Sequence, residues 1–376
     1  MRILVVPDAF KESCSAKAVA EAMIEGIIRV FPHAQIKSLP FTDGGDGALE
    51  VLNNTLGGTV VNVATVNALG TPITAAYLRV DQHTAWISLA EASGLEQLSL
   101  EERNPRIAST YGTGLLIKHA IDHGCTKIRL SIGGSATNDA GMGIFCALGG
   151  KLLGHDKHPL PLGGEALQSL ERIVTPHGME HIDWEIICDV KNLLLGPHGA
   201  SHTYGPQKGA DPKTVVQLER SLAHFASVVR QQMGKDITTL SGGGAAGGTG
   251  AGLAALFNAC LRPGFAVMAE MIDLGKKIRA ADVVFTAEGR MDQQSLHGKV
   301  PLGVAQLCQK NNRPCFGLAG SIDPAIIPQC YEKGFAGVFP IQMGPLPLEE
   351  SISKAEILLA NTAENACRMF QKIRSQ

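Results

Sequence analysis

The sequence predicts an α/β protein of two domains: a doubly wound parallel sheet assembled from both chain ends, and an α/β domain with a mixed sheet inserted into it. Three observations carry this expectation. At 376 residues the chain exceeds what one hydrophobic core ordinarily organises. Its opening alternates strand and helix signals, the mark of a parallel sheet. That alternation breaks into close-spaced strand signals near residue 59 and returns in its opening style near residue 262. The expected domains are therefore 1–58 with 262–376, and 59–261, with a small-molecule site in the cleft between them.

Each element follows from its own residues. "ILVV" at 3–6 is a continuous apolar run, as a strand buried on both faces requires. "SAKAVAEAMIEGIIRVF" places Val19, Met23, Ile24, Ile27 and Ile28 on one helical face, with Ser15 as N-cap and Pro32 as stop. "QIKSLPF" reads as the second strand, "TDGGDG" as a turn and "ALEVLNNTLG" as a helix. "GTVVNVATV", "TAAYLRV" and "TAWISLA" have no helix between them, so antiparallel pairing is expected. Alternation then resumes: helix 111–124, strand "KIRLSI", helix 140–153, strand "WEIICDV" and the amphipathic helix "PKTVVQLERSLAHFASVVRQQM". "ADVVFTAEG", "PCFGLAG" and "AGVFPIQ" supply three late strands. The last helix, 347–373, is amphipathic and expected to pack on its own sheet, with a homodimer as the alternative.

Composition narrows the function. A formal net charge of −2 gives no long-range attraction for nucleic acid, and no basic stripe is interleaved with aromatics. No apolar run approaches the roughly 20 residues of a membrane span. Nine cysteines stand singly without a Cys-x-x-Cys pair, which fits reduced thiols and a cytoplasmic protein. Partners are expected to be small molecules.

Polar clusters recur where strands end, which is where open parallel sheets hold ligands. They are Asp8 and Lys11, Asp43 and Asp46, the segment "GGSATND", Asp189, and Glu288 with Arg290 and Asp292. Singly, each is also what a turn uses. "IGGSATND" offers Gly134, Ser135, Thr137 and Asn138 either as an anion loop at a helix entry or as an ordinary strand-to-helix turn. It is neither a dinucleotide fingerprint nor a Walker A loop. Lys208 and Lys299 sit beside glycines and suit phosphate oxygens, though solvated loop lysines look the same. Glu288 and Asp292 suit Mg²⁺. "SGGGAAGGTGAG" at 241–252 runs straight into an apolar helix, so it reads as a helix-entry loop rather than as a linker; its glycines, Gly243 and Gly244 among them, do not by themselves mark an anion site. Together these are the parts of a phosphoryl-transfer site, where positioning and charge neutralisation dominate.

"PDAFKESCSA", "DGGDG", "GTGLLIKHAI", "GGSATNDAGMG", "CDV", "GPQKGA", "GGGAAGGTGAG" and "TAEGRMDQQSLHGKVPLGVA" follow one another in an order that resembles the type I bacterial glycerate kinases. Glu12, Asp46, Ala287 and Leu193 depart from that family's usual residues. The resemblance implies a Rossmann- or flavodoxin-like domain built from both chain ends, an inserted domain, and ATP- and Mg²⁺-dependent phosphorylation of D-glycerate, usually at the 2-hydroxyl. A hydroxyl acceptor needs a carboxylate to take its proton; Asp189, ending a buried strand, is expected as that base, with Asp8 and Asp46 as alternatives, and Lys11 or Arg290 is expected on the substrate carboxylate. A kinase for another hydroxy acid, an NAD(P)-dependent oxidoreductase and a phospho-sugar binding protein are the competing readings.

Overall fold

The computed structural model describes residues 1–10, 13–41, 48–293, 295–297 and 299–374. Along the chain run β1 (Arg2–Val5), β2 (Gln35–Ser38), β3 (Thr59–Val66), β4 (Pro72–Arg79), β5 (Thr84–Ser88), β6 (Lys127–Ser131) and β7 (Lys151–Leu153). Then follow β8 (Arg172–Val174), β9 (Asp183–Ile187), β10 (Cys260–Arg262), β11 (Val283–Met291), β12 (Cys315–Ile322) and β13 (Gly337–Pro340). The chain divides into two compact units. One comprises Met1–Asp43, Glu50–Leu56 and Phe265–Gln376; the other comprises Gly44–Leu49 and Gly57–Gly264.

The first unit is built on a five-stranded sheet in the order β13-β12-β11-β1-β2, every pairing parallel. β1 and β11 are apolar and buried through most of their length, because helices cover both faces of such a sheet. The chain leaves β1 toward β2 on one side and later toward β12 and β13 on the other, so the topological switch lies between β1 and β11. The helix Ala16–Val30 is capped by Ser15, whose Oγ accepts from the Ala18 amide at 3.2 Å. It lies against the terminal helix Ala355–Arg374, and the approach is close enough that a Cβ on Gly26 would meet the Ala360 carbonyl. The expected single helix over 347–373 is two, Leu348–Ser353 and Ala355–Arg374.

The second unit carries a six-stranded mixed sheet in the order β10-β9-β6-β5-β4-β3. β3, β4 and β5 pair antiparallel, while β5, β6, β9 and β10 run parallel. Burial tracks position: β5 is buried at all five residues, whereas edge strand β3 alternates toward its end. The helix expected over 140–153 is short, Met142–Ala147. Gly149 at φ 93° turns the chain out, and Lys151–Leu153 becomes β7, paired antiparallel with β8. No described helix is long and apolar enough to cross a membrane.

Candidate functional site

In the first unit a cavity of about 630 Å³ opens at the carboxyl ends of the strands, within the 300–1,000 Å³ range usual for ligand sites. It sits where an open parallel sheet is expected to hold its ligand, at the switch between β1 and β11. Past β1 the ladder continues, the Asp8 amide donating to the Ala287 carbonyl at 2.8 Å, so Asp8 arrives beside Glu288. Asp8, Glu288, Arg290, Asp292 and Lys299 all line the cavity. Ala287, where glycine is the family's usual residue, lies in the extended backbone of β11 and needs no positive φ.

The charges in this cavity are set by burial. Glu288 is 4% exposed, and its Oε1 is buried without a hydrogen-bond partner among the described residues. Burial pushes its carboxyl up to about 7, helped by the Asp8 and Asp292 charges and opposed by Lys299 and Ser295. Lys299 Nζ stands 3.8 Å from Glu288 Oε2, and Arg290 Nε stands 3.3 Å from Asp292 Oδ2. Lys299 occupies the N-cap position of the helix Val300–Lys310 without a side-chain capping bond, so the positive end of that helix lies beside a cationic residue. An unsatisfied carboxylate oxygen next to further carboxylates is a donor set that fits a hard divalent cation. Among the described residues no group of three acidic, histidine or cysteine side chains is already closed around a metal position. Solvent or phosphate oxygens would therefore complete any coordination shell. Lys11 and Asp46, also expected here, lie outside the described residues.

In the second unit, the strand-end residues behave differently. β6 and β9 end together, Ser131 opposite Ile187. Beyond them lie exposed Gly133 and Gly134, the latter at φ 70°, and exposed Asp189. Asp189 Oδ1 accepts from the Gly264 amide at 2.9 Å. Glu91 lies past β5, half-buried, its carboxyl raised by burial.

Several expected ligand groups are turned inward. Ser135, Thr137 and Asn138 are buried: Ser135 and Thr137 hydroxyls meet at 3.0 Å, and Asn138 Nδ2 donates to Ser201 Oγ at 3.3 Å. Their side chains fasten the loop rather than face solvent. Lys208 is likewise no surface lysine. It is 2% exposed and donates to the Thr137 carbonyl at 2.5 Å and to Ser135 Oγ at 3.3 Å. Burial drops its ammonium to about 7, with Asp139 opposing. The glycine-rich stretch is a packed helix entry, as expected, but Gly243 and Gly244 do not offer amides to an anion. Those N–H groups donate to the Leu240 and Asn192 carbonyls at 2.9 and 3.0 Å. Its glycines answer a need for closeness: Ala246, Gly247 and Gly248 adopt left-handed backbone, and a Cβ on Gly247 would meet the Thr137 carbonyl.

Asp139, the last residue of the "GGSATND" cluster, is a fully buried node of hydrogen bonds. It accepts from the Thr110 amide and hydroxyl at 2.8 and 2.9 Å and from the Gly141 and Gly143 amides at 3.2 Å. Burial raises its carboxyl and these bonds pull it down. In the sequence it looks like any turn aspartate, so no local signal singles it out.

Comparison with known proteins shows the family and the fold class. A model of the Glycerate kinase family matches residues 3–371. The glycerate kinase of Halalkalibacterium halodurans is 39% identical over 96% of this chain and 96% of its own length. The glycerate 2-kinase of Escherichia coli K12 is 37% identical, covering 99% of this chain and 97% of its own. A crystal structure from Salmonella typhimurium LT2, provisionally named glycerate kinase 2, superposes at a TM-score of 0.87 with 36% identity, over 100% of both chains. The chain belongs to the glycerate kinase family.

Proposed function

We propose that this protein transfers the terminal phosphoryl group of ATP to D-glycerate, at the 2-hydroxyl in preference to the 3-hydroxyl, with Mg²⁺ as cofactor. The observation that carries the reading is the cavity at the β1/β11 switch, where Lys299 and Arg290 face Asp8, Glu288 and Asp292. Phosphoryl transfer needs little covalent chemistry from the protein and much placement of charge. Lys299, backed by the helix Val300–Lys310, neutralises phosphate oxygens; Arg290 supplies a second cation on the rim.

Glu288 and Asp292 are the residues to hold Mg²⁺, with Asp8 beside them. Bound there, the ion would screen phosphate charge and polarise the bond to the leaving group. Glu288 Oε1, buried without a hydrogen-bond partner among the described residues, is the acceptor such a cation would take up. The accepting hydroxyl needs a carboxylate to take its proton. Asp189 fills this role in the proposal, its orientation fixed by the Gly264 amide; Asp8 is the alternative.

The roles are tested by Asp189→Asn and Asp8→Asn in a coupled assay of glycerate-dependent ADP release. The base variant is expected to lose roughly 10²–10⁴-fold in kcat with its fold intact. Wild-type turnover in Asp189→Asn removes that residue from the mechanism. A nicotinamide-linked oxidation of glycerate without ATP would point instead to the oxidoreductase reading, which the lack of a dinucleotide fingerprint disfavours.

A further inference from the structure

Phosphate and metal chemistry accounts for only one side of the cavity. On the other side Phe10, Ile341, Leu348, Ile352 and Ala355 form an apolar wall. Leu348 leaves 73% of its surface uncovered, and an apolar side chain so exposed at the mouth of a polar cavity is suited to cover a flat ring. Gln342, another lining residue, stands immediately beyond β13, and its Nε2 donates to Ser351 Oγ at 2.8 Å. One of its two N–H groups is engaged there, which fixes the amide's orientation, and Oε1 is its acceptor for a ligand.

Spacing is set by the sheet. The Ile341 amide donates to the Ala319 carbonyl at 2.8 Å, and Ala319 pairs with Glu288. Gln342 thus lies about two strand spacings from the acidic cluster, roughly 10 Å across the sheet. A ribose with its first phosphates bridges such a gap.

We propose that this half of the cavity is the base subsite, and that Gln342 Oε1 accepts from the exocyclic amino group of a 6-aminopurine, selecting it over a 6-oxopurine. The inference rests on the phosphoryl-transfer reading above. A 6-oxo group would set one acceptor against another. Turning the amide relieves the conflict only if the Ser351 hydroxyl reverses its own bond, which a rotatable hydroxyl can do. Discrimination is therefore modest, about tenfold, as one hydrogen bond supplies. Ser351 acts as a positioning residue by holding the amide.

The test is calorimetric titration of ADP, GDP and inorganic pyrophosphate into the full-length chain with Mg²⁺ and no glycerate. Wild type is expected to bind ADP about tenfold more tightly than GDP. Gln342→Leu brings the ratio close to one and leaves pyrophosphate affinity unchanged. Ser351→Ala lowers the ratio by freeing the amide to turn, and Leu348→Asp weakens both nucleotides but not pyrophosphate. Equal wild-type affinities, a ratio untouched by Gln342→Leu, or pyrophosphate falling in step with ADP would each overturn the base subsite. The two readings fail separately. ADP binding that follows this pattern without glycerate-dependent turnover keeps the subsite and removes the kinase reading. Turnover with an unaltered ADP-to-GDP ratio in Gln342→Leu does the reverse.

Discussion

Replacing Lys208 by methionine should change how stability depends on pH. Lys208 is buried beneath the loop of the second unit, with Thr137 O and Ser135 Oγ as acceptors. Burial lowers its ammonium from 10.5 to about 7. Unfolding restores the ordinary value, so between pH 7 and 10.5 the unfolded chain binds the extra proton and stability rises with pH. Below pH 7 the ammonium is charged in both states and the whole penalty is present. The fall in pKa, at 1.36 kcal/mol per pH unit, makes that penalty roughly 5 kcal/mol. Methionine removes it together with the lysine's bonds to Thr137 O and Ser135 Oγ, which keep the 3.3 Å bond between them and the 3.1 Å bond from the Thr137 amide, a loss of about 1–3 kcal/mol. Lys208→Met should therefore be the more stable protein at pH 6, and wild type should gain on it by about 1.4 kcal/mol per pH unit from pH 7 upward. Both tryptophans, Trp86 and Trp184, lie in β5 and β9 of the same unit. Urea midpoints followed by their fluorescence from pH 6 to 9.5 thus report the correct unit. Parallel profiles for the two proteins would refute a neutralised buried lysine.

Other consequences are simpler to read. Gly247→Ala forces a Cβ toward the Thr137 carbonyl at positive φ, and should lower stability in the same urea assay by at least about 2 kcal/mol. Gly26→Ala presses on Ala360 in the first unit and should cost about 1–3 kcal/mol, measured by thermal melting, with the second unit's tryptophan signal at its wild-type midpoint. Glu288→Gln should cut kcat at least about 100-fold while leaving metal-free ADP affinity, measured calorimetrically, within twofold (about 0.4 kcal/mol); loss of metal-free binding instead would place Glu288 in nucleotide contact.

Much of this fold is legible in single segments because local and tertiary demands agree there. Ser15 and Asp211 cap the helices they precede, and the apolar runs of β1, β6 and β11 are the strands those runs describe. The fold class and family reading stand for that reason. Segment 140–153 misleads: its apolar residues continue at helical spacing, and only the glycine pair at 149–150 marks the turn into β7. Part of the site is legible through one topological rule. Asp8 and Asp292 follow β1 and β11, Glu288 and Arg290 stand in the last residues of β11 rather than past it, and Lys299 precedes the next long helix; one cavity is lined by all five.

What stays hidden depends on residues distant in sequence. "GPQKG" resembles a solvated loop, yet the Ser135–Thr137 backbone closes over its lysine. Gln342 and Leu348 carry no turn or motif signature, and become neighbours of Asp8 only because the chain after β13 returns across the strand ends. The glycine-rich stretch shows the same limit in another form. Composition marks it as a place of close approach, but only the fold reveals that the thing approaching is the Thr137–Asn138 backbone rather than a phosphate.

The central claim is tested most directly by incubating the protein with ATP, Mg²⁺ and D-glycerate and following ADP release and the phosphorus NMR spectrum of the product. ADP formation is expected to require glycerate, and the product is expected to be a phosphate monoester coupled to the single C2 proton. A monoester coupled to the two C3 protons would move the transfer to the 3-hydroxyl. Absence of any glycerate-dependent ADP, with the nucleotide bound and the protein folded, would contradict the account.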